Sequence, residues 1–528
     1  MYIELHASSA FSFLDGASLP EALVERAASL GYPAIGLLDR DGVYGAPRLH
    51  MAAKRAGLKG IIGAELTVAT AAADGRLFTL PVLVESRQGY RNLCRLVTRM
   101  KMRAPKGEGA LTIGDLDGQV GGLVALIGRT ALDAPRFGVG GLVDRLVGVF
   151  GRSSVYMELQ RHLLREEEAD NHALLDLASA FHVPAIAGNG VRFAEPADRP
   201  LYDVLTCIRH KTTLERAGRR LSWNAERYLK PPEAMARLFA DQRRAVAETR
   251  ELADRLAFTM ADLGYQFPRY PVPAGETMAS FLRKMTQAGA RERYRPLHDA
   301  ARRQLERELL LIEKLDLAGY FLIVWDIVNY CRQHDILVQG RGSAANSAVC
   351  YSLGITAVDP VGMDLLFERF LSEERGEWPD IDIDLPSGDR REQVIQHIYR
   401  KYGTLGASSE SEREPSALAS PKGRASGAGG GAPAHKEKWG PASAERSGPR
   451  VAMTANVITY RGRSAAREVG KTLSLEPAQI DRLAKIMNHF EWVDPKETIE
   501  RNARDAGIDV QDPTIQLFGQ LWQRIQDL

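Results

Sequence analysis

Trp378-Pro379-Asp380-Ile381-Asp382-Ile383-Asp384-Leu385 alternates three carboxylates with three aliphatic residues. In a strand, successive side chains point to opposite faces. Asp380, Asp382 and Asp384 are therefore expected on one face, with Ile381, Ile383 and Leu385 on the other. The aliphatic face suits a core. Like charges at this spacing repel unless something cationic sits on them, and a pair of divalent metal ions is the obvious partner. Upstream lies Gly340-Arg341-Gly342-Ser343-Ala344-Ala345-Asn346-Ser347, a small-residue loop with one arginine, suited to cradling phosphates. A phosphate loop followed by a strand of paired aspartates is the layout of a metal-dependent nucleotidyl transferase. The bland alternative is an ordinary turn followed by an acidic edge strand with solvated carboxylates. The loop and its flanks weigh against it.

The rest of the chain sets limits on this reading. Its 528 residues leave room for roughly two to four domains. The net charge is only +2, so any surface for nucleic acid must be local. Cys94, Cys207, Cys331 and Cys350 are far apart and form no CxxC pair. That argues against a zinc ribbon or a disulfide framework and fits a reducing cytosol. Met1 to His6 carries no basic or apolar leader pattern, and no apolar run approaches membrane-spanning length. A soluble cytoplasmic protein without a membrane partner is expected.

The first part of the chain reads as α/β. Met1–Leu5 is a candidate strand, Leu19–Leu30 a helix with proline in its first turn, and Ala34–Leu38 a strand running into Asp39-Arg40-Asp41-Gly42. Gly60–Leu66 is the next strand, and the pattern resumes at Val155–Leu159 and Val183–Asn189. This rhythm predicts a parallel or mixed sheet with functional residues at strand C-termini, where Asp39 and Glu65 fall. Three prolines in Phe267–Pro273 mark an extended linker and a domain boundary. Thr404–Arg450 is rich in Ser, Gly, Ala and Pro and is expected to be disordered. Val451–Tyr460 reads as an apolar strand and Ser464–Met487 as helical. The expected domains are 1–265, 266–403, a low-complexity insert 404–450, and 451–528.

Several of these stretches carry a resemblance. Gly340–Ala345, Asp359-Pro360, Leu365–Leu371 and Pro379–Asp384 together resemble the palm of the bacterial family C DNA polymerases, the polymerase III alpha subunits and their error-prone relatives. Leu5-His6 through Ser18 resembles the polymerase-and-histidinol-phosphatase (PHP) domain that opens those polymerases. Phe11–Gly16, Met453–Tyr460 and Arg461–Ser464 are most similar to the error-prone branch. The resemblance implies a barrel-like α/β PHP domain over 1–265, the first part of a nucleotidyltransferase-type α/β palm over 266–403, and a mainly helical, thumb-like segment over 451–528. It also implies an N-terminal portion of such a polymerase. The third palm carboxylate is not assigned to Asp505, Asp509 or Asp512, which lack the expected strand.

For the palm, the resemblance implies two Mg²⁺ ions bridged by Asp380 and Asp382, with Asp384 as a further ligand or a strand-holding group. Gly342 and Ser343 would let the backbone approach phosphates while Arg341 neutralises charge. Arg461, Arg463, Arg467 and Lys471 are candidate contacts to DNA phosphates, with a solvated basic face as the equal alternative. For the PHP pocket, four metal-binding elements are expected, of which only Glu65 is intact. His6 is followed by Ser8 where a second histidine is expected, Asp39 by Arg40, and the late motif ends in Arg192. Arginine cannot ligate a metal at neutral pH. A PHP fold with little or no bound metal is expected. The implied function is template-directed DNA synthesis of the error-prone, translesion type. Primer-template DNA and dNTPs would be substrates, and a sliding clamp and other mutasome or replisome subunits would be partners. The alternatives are a PHP-type metal phosphoesterase and a catalytically inactive DNA- or clamp-binding fragment.

The composition of Thr404–Arg450 generates a first test. Limited proteolysis of the purified chain is expected to cut there first, as read by mass spectrometry of the fragments. Uniform protection of the segment would contradict it.

Overall fold

The computed structural model describes residues 1–70, 77–105, 107–132, 138–263, 269–372, 379–403, 451–454, 456–486, 509 and 511–528. Trp378, Asp505 and the Thr404–Arg450 segment expected to be disordered lie outside the described residues. Contacts group the chain into two units, Met1–Gly264 with Val457–Leu528, and Tyr265–Asn456.

The first unit is built on a seven-stranded mixed sheet. Its strands are β1 (Ala34–Arg40), β2 (Lys59–Ala69), β3 (Leu77–Val84), β4 (Leu111–Thr112), β5 (Leu123–Ile127), β6 (Val155–Gln160) and β7 (Ala185–Gly188). The order is β1-β2-β3-β5-β6-β7, with β4 also on β2. β1 and β2 pair in parallel, β3 is antiparallel to both β2 and β5, and β5-β6-β7 are parallel. Apolar runs such as Leu123–Ile127 are buried throughout, as befits strands covered on both faces.

A strand was expected over Met1–Leu5, and none forms there. Instead an extended segment bridges the two sheet edges at Ala7, which pairs with Leu37 on β1 and with Val191 just past β7. Leu38 N donates to Ala7 O at 2.7 Å, and Ser8 N donates to Val191 O at 2.9 Å. The sheet thereby closes on itself. Gly36 permits this approach, because a Cβ there would lie 2.5 Å from Leu5 O.

The expectation of a thumb-like block over 451–528 differs from the observed grouping, because Val457–Leu528 shares a core with the first unit. Helices Gly462–Thr472 and Pro513–Ile525 pack on helix Arg199–Arg209, and helix Pro477–Ile486 packs on Gly462–Thr472. Val469, Phe518, Leu521 and Trp522 meet Leu201 and Leu205 in one buried cluster. Trp522 Nε1 donates to Gly462 O at 2.8 Å, and Arg524 binds Ala197 O at 2.8 Å and the Asp198 carboxylate. The expected strand over Val451–Tyr460 does not form among the described residues. Tyr460 N instead donates to Leu528 O at 3.1 Å. Asp512 caps the last helix through Thr514 N at 2.7 Å, a structural role.

In the second unit, helices Met278–Arg293 and Asp299–Lys314 pack on the short helix Ala348–Ser352, and helix Ala318–Gln333 packs on Met278–Arg293. Ile312, Phe321, Leu322, Phe367 and Phe370 are core residues. Strands β8 (Gln339–Arg341) and β9 (Asp382–Asp384) form an antiparallel pair, with Gly340 opposite Ile383 and Arg341 opposite Asp382.

Phe518 is fully buried in the cluster that joins the C-terminal helices to the first unit. Phe518→Ala is expected to destabilise that unit by about 3–5 kcal/mol through lost burial and a residual cavity. Urea denaturation followed by tryptophan fluorescence checks it.

Candidate functional site

The β8–β9 pair brings the small-residue loop and the aspartate strand together. Asp380, Asp382 and Asp384 are exposed, while Ile381 is buried and Ile383 half-buried, so the alternation follows the strand's period of two. β9 itself is short, and Asp380 lies just before it. Tyr320 Oη accepts a hydrogen bond from Ile381 N at 3.0 Å and fixes the approach to the strand. Gly342 has φ +73°, a conformation L side chains rarely adopt, and a Cβ there would lie 3.5 Å from Asp382 Oδ2. The loop then continues as a 3₁₀ turn over Gly342–Asn346, in which Asn346 Nδ2 donates to Ser343 O at 2.9 Å.

An ion pair divides the three carboxylates. Arg341 Nε lies 3.2 Å from Asp384 Oδ1, both side chains being more than half exposed. Asp380 and Asp382 have no side-chain hydrogen bond or ion pair among the described residues. Two unpaired oxygen donors on one edge suit a hard divalent cation such as Mg²⁺.

The second candidate site lies inside the closed sheet of the first unit. Glu65 on β2, Glu158 on β6, His6 and Ser8 on the closing segment and Arg192 just past β7 converge there. His6 Nδ1 is 2.8 Å from Glu158 Oε1, and Nε2 is 2.6 Å from Glu65 Oε1. Arg192 Nη2 donates to Glu65 Oε1 at 2.8 Å and Nη1 to Ser8 Oγ at 2.7 Å. Ser8 Oγ in turn donates to Leu38 O at 2.9 Å. Burial opposes a charge on His6, but the Glu158 and Glu65 carboxylates outweigh it and raise the imidazole pKa to about 10. Burial likewise opposes ionisation of Glu65, yet Arg192 and His6 hold its carboxyl well below the usual range.

These residues do not fit a metal centre. Each His6 nitrogen already faces a carboxylate, and one Glu65 oxygen is shared by His6 and Arg192. Asp39 is committed through Oδ1 only, which accepts from Ser9 N at 2.8 Å and from Ser9 and Ser12 Oγ at 2.9 Å each, while its Oδ2 is buried without a hydrogen-bond partner among the described residues. Arg40 turns to Asp15 Oδ2 at 3.3 Å, and Arg209 Nη1 binds Asp15 Oδ1 at 2.6 Å.

Glu158, Asp15 and Arg209 were not singled out from the sequence. A glutamate inside the apolar run Val155–Leu159 was the available signal for the first; no local pattern marks the other two. Three of the four basic residues considered for DNA contact are paired with acids: Arg461 with Asp527 at 2.9 Å, Arg467 with Asp481 at 3.5 Å and Lys471 with Glu468 at 2.7 Å. Arg463 is exposed and has no ion pair among the described residues. All four belong to the first unit, whereas Asp380, Asp382 and Arg341 belong to the second. Among the described residues no helix is long and apolar enough to cross a membrane.

Residues 280–409 and 436–528 match the family described as the bacterial DNA polymerase III alpha NTPase domain, and residues 4–162 match the PHP domain family. The chain is 38% identical to an error-prone DNA polymerase of Anaeromyxobacter sp. (strain K), over 97% of this chain and 48% of that one. It is 39% identical to the error-prone DNA polymerase of Alkalilimnicola ehrlichii (98% and 45%). It is 40% identical to that of Mycobacterium tuberculosis (strain ATCC 25618 / H37Rv) (93% and 42%). The chain spans about half the length of the curated relatives it matches.

The His6 cluster has a pH signature. A raised imidazole pKa contributes stability that is fully present below the ordinary value of 6.5 and drains away as pH rises through about 10. His6→Gln is therefore expected to be less stable than the unaltered chain at pH 6.5, with the difference shrinking toward pH 10. Urea denaturation across that range checks it; a constant difference would show that His6 is neutral in the folded state.

Proposed function

We propose that this chain, a relative of the error-prone DNA polymerases carrying a PHP domain and a bacterial DNA polymerase III alpha NTPase domain, takes part in template-directed DNA synthesis. It would add dNTPs to a primer 3′-hydroxyl during error-prone, translesion synthesis. One observation carries the reading: among the described residues Asp380 and Asp382 stand unpaired, Asp382 beside the Gly342 turn, while Arg341 pairs with Asp384.

The division of labour follows from charge. Asp380 and Asp382 would hold Mg²⁺, which when bound compensates charge on the attacking and leaving oxygens of phosphoryl transfer. The Gly342–Asn346 turn offers a surface free of bulky side chains to the dNTP phosphates, with the Ser343 hydroxyl as a donor. Arg341 keeps Asp384 from adding a third uncompensated negative charge and presents its remaining N–H groups to phosphate. Arg463 is the best placed of the four basic candidates to meet a DNA phosphate, because the other three are already paired. A sliding clamp and other mutasome or replisome subunits are the partners such an activity would use.

The geometry favours this reading over a PHP-type phosphoesterase, since His6 and Arg192 occupy the carboxylate that a metal would need. The PHP domain would then serve as a scaffold, its charge balanced from within.

Mg²⁺-dependent primer extension tests the proposal, measured with the chain supplemented by the remaining portion of a relative, in cis or as a second polypeptide. Asp380→Asn and Asp382→Asn remove the anionic ligand but keep the shape, and each is expected to lower extension at least roughly a hundredfold. Full extension by either variant would place the active site elsewhere.

A further inference from the structure

Helix Ala348–Ser352 follows the Gly342–Asn346 turn directly, so whatever holds this helix also aims the turn. The holder at its start is Glu308, on helix Asp299–Lys314, whose side chain is fully buried. Its Oε1 accepts from Ala348 N at 2.9 Å and from Gln304 Nε2 at 2.9 Å. Its Oε2 accepts from Ser347 Oγ at 2.7 Å and from Val349 N at 3.0 Å. Four donors converge on one carboxylate, and three of them belong to the segment immediately after the turn. The far end of the helix is held by cations. Arg293 Nη1 donates to Tyr351 O at 2.6 Å and to Thr356 O at 2.8 Å, and Arg332 Nη2 donates to Gly354 O at 2.7 Å.

A buried carboxylate is costly unless its hydrogen bonds are complete. Here completion requires the main chain at residues 347–349 to stay in one place. The helix has five residues, too few to be rigid alone. We infer that Glu308 is a positioning residue for nucleotide binding: its carboxylate fixes the start of helix Ala348–Ser352, and so sets the turn at Gly342-Ser343 where the dNTP phosphates would lie. Glu308 need not touch the nucleotide. The assignment rests on the polymerase reading given above.

Glu308→Gln keeps the size and one acceptor but places an N–H₂ where two donors point. The test uses the full chain with N-methylanthraniloyl-dATP and Mg²⁺ followed by fluorescence anisotropy, a labelled primer-template as second ligand, and amide hydrogen exchange at Ala348 and Val349. Glu308→Gln is expected to weaken nucleotide binding roughly tenfold, leave primer-template affinity within about twofold, and speed exchange at both amides. Unchanged nucleotide affinity, unchanged exchange, or equal losses for nucleotide and DNA would each overturn the assignment, the last by showing general unfolding. Failure of the unaltered chain to bind the nucleotide would instead sink the polymerase reading itself, and the assignment with it.

Discussion

A carboxylate at Glu65 is almost out of reach of water, and the first unit is organised around neutralising it. His6 and Arg192 supply the positive charge, and both arrive through the closure of the sheet. Ala7, next to His6, is bonded to β1, and Val191, next to Arg192, is bonded back to His6 O and Ser8 N. Ring closure and charge balance are thus one arrangement. If the N-terminal segment let go, a buried anion would lose its imidazolium partner. If Arg192 were lost, Ser8 and Glu65 would both lose a donor.

The same network reaches outward. Asp15 collects Arg40 from β1 and Arg209 from the end of helix Arg199–Arg209. The apolar residues of that helix, Leu201 and Leu205, pack with the C-terminal helices. The first unit therefore couples an ionic interior to an apolar seat for a segment distant in sequence. Within that interior most donors and acceptors are spent on one another, His6, Glu65, Ser8 and Arg192 among them.

The second unit follows the opposite rule. Its interior carboxylate, Glu308, is satisfied by main-chain and side-chain donors, while Asp380 and Asp382 are exposed and without partners among the described residues. Exposed carboxylates cost little in water and remain free to bind a cation. The contrast between the two pockets is one of desolvation: charges sealed inside must be matched by the protein, and charges at the surface can be matched by a ligand.

Much of this was legible in the chain itself. The alternation of Asp380–Leu385 specified which side chains face out, because strand geometry has a fixed period. Ser8, Arg40 and Arg192 stand where metal ligands are expected, a departure legible from their chemistry alone. Apolar runs located β1, β2, β6 and β7 to within a few residues. The partnerships were not legible. Glu158 meets His6 across 152 positions, and Arg192 meets Glu65 across 127. Asp384 finds Arg341 only because β8 and β9 pair, and Glu308 reaches Ala348 only because two helices pack. The C-terminal helices carry an amphipathic pattern that demands a neighbour without saying which. By itself the sequence determined local geometry and the identity of each charge, both of which depend on a residue and its near neighbours. Tertiary structure alone decided which charges were buried together and which were left to solvent, since pairing and desolvation depend on segments brought together by topology.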